Sequence, residues 1–483
     1  MDYQSTRSKN LTANSTAAVL QGLAPDGGLY VVDNYGDFDW QSVLSLPAQG
    51  MAEKILGRLL PDFEDMPRLV KSAYEGKFET EELTPLVPVG DQYVLELFRG
   101  PTSAFKDVAL SMLPQLMTQA RKQEAVTDEI LILTATSGDT GKAALAGFRD
   151  VPGIKIIVFY PAQGVSAVQK KQMVSQEGGN VCVCAVEGNF DDTQTGVKEI
   201  FAKGVKEGCG VRLSSANSIN IGRLAPQVVY YFKAYSELLK LGRIALGDKV
   251  DFVVPTGNFG DILAGYLAKL LGLPVGMLIC ASNANNVLTD FIRTGVYDRN
   301  RPLHKTISPS MDILVSSNLE RLLYLLSGDT QLVASLMGSL SREGVYRVAG
   351  PLLEKVKANF WAGCCDDAAA QVTIGKVWQN EKYLCDPHTA TGWAVAEDYV
   401  NQTGDTRPMV VLSTASPYKF PAPVLAAIGG DLTGDEFEQM DRLEKITGVK
   451  MPENLRGLKE KEVLHSKVIE KNDMMSYVEN LGF

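Results

Sequence analysis

Six short apolar runs punctuate this chain, at Ile130–Thr134, Ile154–Tyr160, Val181–Val186, Val250–Val254, Val275–Cys280 and Met409–Leu412, and helical patterns separate them. Strand and helix alternating on this scale imply an α/β chain of parallel sheets covered by helices. The pattern begins only after Arg99-Gly100-Pro101. Before it, a turn-rich stretch at Pro25–Gly28 leads into the apolar run Leu29–Val32, and a helical pattern extends from Leu56 to about Lys77, which reads as an N-terminal domain. A helix from Ile219 to Leu239, carrying Tyr230, Tyr231 and Phe232, is placed to cross between two sheets. From Gly434 the chain is more charged and reads as a helical cap or a partly mobile tail. With 483 residues, and roughly 100–200 per domain, two to four domains are expected.

Charge and composition narrow the chemistry. Acidic residues outnumber basic ones, 57 to 47, for a net charge of -10, so the overall field repels nucleic-acid backbones and anionic lipid. Met1–Asn10 has no apolar run after its basic residues and no later apolar run is long enough to span a bilayer, from which a cytoplasmic protein with no membrane partner is expected. Seven cysteines, at positions 182, 184, 209, 280, 364, 365 and 385, lack paired metal-site spacing and read as reduced thiols. Histidine occurs only at His304, His388 and His465. A histidine-held metal or a Ser-His-Asp triad is therefore disfavoured, no metal is expected, and proton transfer is sought from another base.

In parallel α/β sheets, ligands sit at strand carboxyl ends near helix N-termini. Three junctions fit. Val253–Asp261 passes from an apolar strand through Gly257 and Gly260 into a helix, which suits a phosphate but equally suits an ordinary βα turn. Ile130–Gly141 ends in Ser137, Gly138, Asp139, Thr140 and Gly141; its Gly141-Lys142 is not a P-loop ending, because Thr136 replaces the first glycine and Ala143 the magnesium-binding hydroxyl. Val410–Ser416 is a strand ending in hydroxyls. Between the N-terminal region and these junctions, Lys106 sits among small and apolar residues before a helical pattern. Its ammonium is either a snorkelling surface group or a desolvated amine able to form a Schiff base. A candidate Schiff-base lysine, a glycine cradle and the absence of histidine chemistry together suggest pyridoxal phosphate.

The segments Gly100–Asp107 (GPTSAFKD), Ala135–Gly141 (ATSGDTG), Ser215–Asn220 (SANSIN), Pro255–Asp261 (PTGNFGD) and Ser413–Phe420 (STASPYKF) resemble, in order, the signatures of the threonine synthases. So do Gly22–Tyr30, Ser310–Leu322 and Pro387–Val395, and the similarity extends from about Ser5 to Phe420. The resemblance implies two parallel-sheet α/β domains of the tryptophan synthase β-like (fold type II) class with an N-terminal domain. The expected division is 1–98 for the N-terminal domain, 99–127 with 236–425 for the cofactor domain, 128–235 for the substrate domain and 426–483 as an extension. It further implies pyridoxal 5'-phosphate as cofactor, Lys106 as the Schiff-base lysine, Gly257, Asn258, Phe259, Gly260 and Asp261 as the cofactor-phosphate loop, and Thr414 at the pyridine nitrogen. Ser137–Gly141 would take the substrate carboxylate. The implied reaction turns O-phospho-L-homoserine and water into L-threonine and phosphate, in a monomer or homodimer.

Two further expectations concern charge. Asp139 would cap its helix rather than face a substrate carboxylate, since like charges repel. The substrate's own phosphate would bind around Ser215, Asn217, Asn220 and Arg223 at the start of the helix Ile219–Leu239, unless Asn217 or Ser218 merely caps that helix and Arg223 faces solvent. Arg99 and Ser103 stand where a histidine and a bulky apolar residue are more usual, and Lys142 where a small residue is commoner. The alternatives are a related hydroxyamino-acid dehydratase or phospho-amino-acid lyase, and, from another class, a cofactor-binding protein without turnover.

Overall fold

The computed structural model describes residues 2–204 and 210–481; Cys209 lies outside them. Two large sheets carry the fold. The first is six-stranded, in the order Phe360–Cys364, Val275–Ser282, Val250–Pro255, Met409–Ser413, Gln92–Glu96 and Leu86–Val89, all parallel except the last pair. The second is five-stranded and parallel, in the order Val468–Glu470, Val181–Glu187, Ile154–Pro161, Glu129–Ala135 and Val211–Ser214. All six apolar runs are strands at the expected places. An antiparallel three-stranded sheet, Ser8–Ala13, Tyr3–Ser5 and Tyr30–Val31, belongs to the N-terminal region.

This order sets the site. Val250–Pro255 and Met409–Ser413 are neighbours in register, Val253 beside Val411, with Gln92–Glu96 on the far side of the latter, Leu412 beside Leu95. Their carboxyl ends therefore deliver the Gly257 loop, Thr414 and the Lys106 loop to one edge, and Glu129–Ala135 of the second sheet brings Thr136–Gly141 to face them. The helix Lys106–Gln123 is buried along most of its length, with Pro114 inside it. Pro114 cannot donate to the Leu110 carbonyl. Gly147 of the helix Asp139–Phe148 sits against that carbonyl, where a Cβ would come within 2.1 Å of its oxygen.

Two helix boundaries differ from the periodicity reading at prolines, although Pro114 leaves its helix continuous. The N-terminal pattern resolves into Ala48–Leu59 and Met66–Tyr74, interrupted at Pro61. The expected helix Ile219–Leu239 is instead Ile221–Leu224, a 3-10 turn Ala225–Gln227 containing Pro226, and Val228–Lys240. The charged tail is neither a detached cap nor loose. Its helix Glu436–Thr447 buries Met440 and Leu443, Met451, Leu455 and Leu458 follow into the core, and Val468–Glu470 becomes an edge strand of the second sheet. No helix of the described residues is long and apolar enough to cross a membrane. The six described cysteines are free thiols.

Candidate active site

The loop before Lys106 is held from all sides. Leu97 N donates to Ser413 O and Phe105 N to Thr414 O, both at 2.9 Å, tying the loop to the neighbouring strand end. The buried Asp107 carboxylate accepts from Thr102 N at 2.8 Å and from the Thr102 hydroxyl, and Gly100 lies so close to it that a Cβ would meet its Oδ2 at 2.6 Å. Ser103 adopts a left-handed φ of 59°. Its hydroxyl donates to Asn454 Oδ1 at 2.8 Å, and Asn454 Nδ2 donates to Gly100 O at 3.1 Å. The small hydroxyl at 103 thus lets the C-terminal tail brace the lysine loop. Lys106 opens the helix, 7% exposed, with Nζ 4.4 Å from the centre of the Phe105 ring. Burial lowers its pKa to about 8, against the pull of Asp139; the positive end of the helix dipole acts in the same direction as burial.

Opposite stands the Gly257 loop. Phe259 caps the helix Gly260–Leu270 in the left-handed region, with its ring packed on Phe360. A Cβ on Gly257 would come within 2.9 Å of Ser310 O, and one on Gly260 within 2.9 Å of the Ser218 side chain. Glycine is therefore required at both positions by close approach, and the first helical N–H groups, which have no intrahelical acceptor, face the cavity. The Asp261 carboxylate accepts through Oδ1 from the Tyr230 hydroxyl and, at 3.2 Å, from that of Tyr231, and its buried Oδ2 has no hydrogen-bond partner. Burial raises its pKa to about 6.

Asp139 corrects the reading of the second loop. The cap there is Thr136, whose hydroxyl accepts from Gly138 N at 3.0 Å and Gly141 N at 2.9 Å, and Asp139 makes no cap bond. Its buried carboxylate instead pairs with Lys419 Nζ at 2.6 Å, accepts from Gln169 Nε2 at 2.7 Å and from Ser310 Oγ at 3.3 Å, and stands 3.6 Å from Lys106 Nζ. Burial would raise its pKa, but Lys419 and Lys106 outweigh it and hold the carboxyl far below the usual range. Ser137 and Thr140 line the cavity, whereas Gly138, Asp139 and Gly141, expected to take the substrate carboxylate with them, do not, and the N–H groups of Gly138 and Gly141 are already taken by the Thr136 hydroxyl. Gly138, at φ 138°, packs where a Cβ would strike Gln169 at 2.6 Å.

The third wall comes from Ser215–Arg223. Asn217 and Ser218 line the cavity, whereas Asn220 does not. Asn220 is fully buried as the N-cap of Ile221–Leu224, accepting from Gly222 N at 2.9 Å and donating to Val19 O at 2.9 Å. It ties this loop to the N-terminal region and has no donor left for a ligand, which removes it from direct substrate contact. Ser215 lies one step back, in an adjoining chamber of about 470 Å³ that shares Asn217 and Asn258 with the cavity. Arg223 is the informative residue. It is 3% exposed, lines the cavity, and its Nε and Nη1 have no partner; burial lowers its pKa to about 10. A buried guanidinium without an acceptor is costly unless an anion joins it.

Sequence reasoning missed His388, Lys419 and Ser310. His388 lines the cavity, with Nδ1 2.5 Å from Asp386 Oδ2, and Nε2 accepts from Ser310 N at 3.2 Å. Both ring nitrogens are engaged, so it holds the Ser310 loop rather than offering a base. Arg99 bonds Glu96 and Glu79 away from the cavity, and Lys142 bonds Gln176, with its pKa lowered by burial to about 8.

A lysine with lowered proton affinity, a glycine-lined cradle of helix-start N–H groups, and the Thr414 hydroxyl beside them fit an aldehyde cofactor that carries a phosphate. The pyridoxal-phosphate dependent enzyme family matches residues 79–415, and fold and site together define an enzyme of that class, with pyridoxal phosphate as its cofactor. Flanking it, the threonine synthase N terminus matches residues 2–74 and the threonine synthase C-terminal family residues 389–478. Threonine synthase of Pseudomonas aeruginosa is 40% identical over 461 residues, covering 92% of this chain and 95% of that one. The chain belongs to the threonine synthase family. The crystal structure of pyridoxal-phosphate-bound threonine synthase from Brucella melitensis superposes with a TM-score of 0.87 at 37% identity, covering 100% of this chain and 98% of that one. Human threonine synthase-like 1 is 39% identical over 433 residues, 85% of this chain, and the chain spans 57% of that relative's length.

Proposed function

We propose that this protein is a threonine synthase, converting O-phospho-L-homoserine and water into L-threonine and phosphate. The observation that carries the reading is Arg223, a buried guanidinium with unpaired donors that lines the same cavity as Lys106 from a segment other than the Gly257 loop. Two phosphates in one site repel each other, so a phosphorylated substrate needs donors distinct from those of the cofactor's phosphate. A dehydratase acting on an unphosphorylated hydroxyamino acid has no such need.

Pyridoxal phosphate, when bound, supplies the electron sink for charge developing on the substrate's carbons. Lys106 would hold it covalently, the N–H groups of Gly257–Asp261 would take its phosphate, and the Thr414 hydroxyl would meet its pyridine nitrogen without favouring protonation there. The free Lys106 amine, its pKa lowered by burial to about 8, would be suited to take the proton from the substrate's Cα as a general base. Ser137, Thr140 and the helix-start amides hold the substrate carboxylate. Arg223 with Asn217 holds the departing phosphate, and charge pairing at that point favours cleavage of the Cγ–O bond.

We assign the N-terminal domain to residues 1–85, the cofactor domain to 86–127 and 228–425, the substrate domain to 128–227 and the extension to 426–483, because Leu86–Val89 and Gln92–Glu96 are strands of the six-stranded sheet and an expected boundary at 235 would cut the helix Val228–Lys240. The reading carries with it a cytoplasmic setting and a monomer or homodimer. Phosphate release from O-phospho-L-homoserine, run beside keto-acid formation from L-threonine, tests it. Phosphate with threonine and no keto acid is the expected result; keto acid without phosphate release would replace the reading with a dehydratase.

A further inference from the structure

Two buried lysines share one carboxylate. Lys419, on the turn Pro417–Lys419, is fully buried and outside the cavity, with Nζ 2.6 Å from Asp139 Oδ1 and donating to Thr102 O at 3.1 Å. The other Asp139 oxygen faces Lys106 Nζ at 3.6 Å. Burying an ion pair gains little stability over well-packed apolar groups, so Lys419 is poorly explained as a structural prop. Its contacts reach the reacting lysine twice, through Asp139 and through the carbonyl of Thr102 in the lysine loop.

We propose that Lys419 is a positioning residue: by holding the Asp139 carboxylate, it sets the proton affinity and the aim of the Lys106 nitrogen. The inference rests on Lys106 being the reacting lysine. A bare carboxylate 3.6 Å away would favour a proton on that nitrogen, whereas one already neutralised by Lys419 leaves it an available base. The other charged groups around Lys106 are Arg223 from the helix Ile221–Leu224, which opposes protonation, and Asp261 from the helix Gly260–Leu270, whose carboxylate is tied to Tyr230. Asp312 and His388 line the same cavity. Asp312 is held by Asn283, Asn285 and Thr306, and His388 by Asp386. Among the charged groups of the described residues, Asp139 and Lys419 alone form a continuous chain to Lys106.

The test titrates the visible absorbance of the holoenzyme against pH in the wild type, Lys419→Met, Lys419→Arg and Asp139→Asn, with the acid limb of kcat/KM recorded alongside. Lys419→Met should raise the spectral midpoint by about one unit, a tenfold gain in proton affinity. Asp139→Asn should lower it, and Lys419→Arg should return it towards wild type. Equal midpoints in all four proteins, or shifts of the same sign in the Met and Asn variants, would overturn the inference. If Lys419→Met does not fold, the Asn and Arg variants decide it, one displaced and the other near wild type. Borohydride reduction and peptide mapping separate this failure from another. Cofactor fixed on a lysine other than Lys106 refutes the assignment of the reacting lysine, whereas cofactor on Lys106 with unmoved midpoints refutes only the role of Lys419.

Discussion

Replacing Arg223 by alanine should weaken catalysis without weakening the fold. The guanidinium is almost wholly buried, has no acceptor at Nε or Nη1, and stands over the Phe105 ring at 5.9 Å, with Lys106 against the same ring. Two of its donors therefore lack an acceptor in the free protein, where Asp261 and Asp107 offset its charge only from beyond ion-pair distance. Losing a charged partner of a phosphate costs about 2 to 4 kcal/mol of transition-state stabilisation, or about 30- to 900-fold in kcat/KM. Removing an unpaired buried charge relieves desolvation, so the Tm of Arg223→Ala should equal or exceed that of wild type. Arg321 gives the contrast. It donates to the carbonyls of Tyr30 at 2.9 Å and Ser218 at 3.1 Å, to that of Ile219 and to Asn318 Oδ1, so Arg321→Ala strands four acceptors and should lose about 4 kcal/mol at ~1 kcal/mol each. Steady-state phosphate release and thermal unfolding on the two variants measure both effects. Undiminished turnover in Arg223→Ala, or loss of cofactor instead of substrate affinity, would place Arg223 outside the reaction.

Lys106→Ala should abolish turnover and the visible absorbance of the linked cofactor; a borohydride-fixed adduct on another lysine would show the assignment to be wrong. Asn454→Ala removes two bonds that brace the lysine loop, to Ser103 and Gly100, and should cost about 2 kcal/mol of stability, read as a lower denaturation midpoint; an unchanged midpoint would mean the tail does not brace the loop. For Asp261, burial raises the folded pKa to about 6, above the roughly 3.9 of a free chain. Its contribution to stability is thus fully present below about pH 4 and is lost as pH rises through 6. Asp261→Asn should accordingly gain in Tm over wild type at pH 8 and lose that advantage near pH 4.5; an advantage independent of pH would contradict the shifted carboxyl.

What was legible in the sequence was local. Strands buried in parallel sheets read as unbroken apolar runs, and Gly257, Gly260, Ser137 and Thr140 lie within a few residues of a strand end, whereas Lys106 and Arg223 stand nine or ten residues beyond theirs and were singled out only from the wider pattern of motifs and charge. The helix breaks required weighing Pro61 and Pro226 above periodicity. Asn220 was misassigned because a capping asparagine and a ligand-binding one look alike until its donor is seen on Val19 O. Asp139 was expected to cap its own helix, whereas its partner Lys419 comes from a distant turn that carries no periodic signal. The tail's role was hidden for the same reason, since Asn454 and Val468–Glu470 find their places only through long-range pairing.

Oxygen tracing in labelled water tests the proposed chemistry most directly. With O-phospho-L-homoserine as substrate, cleavage of the Cγ–O bond followed by addition of water at Cβ predicts threonine carrying one solvent oxygen in its hydroxyl and phosphate carrying none. Solvent oxygen in the phosphate, with homoserine as the other product, would mean hydrolysis at phosphorus and would contradict the roles given to Lys106 and Arg223.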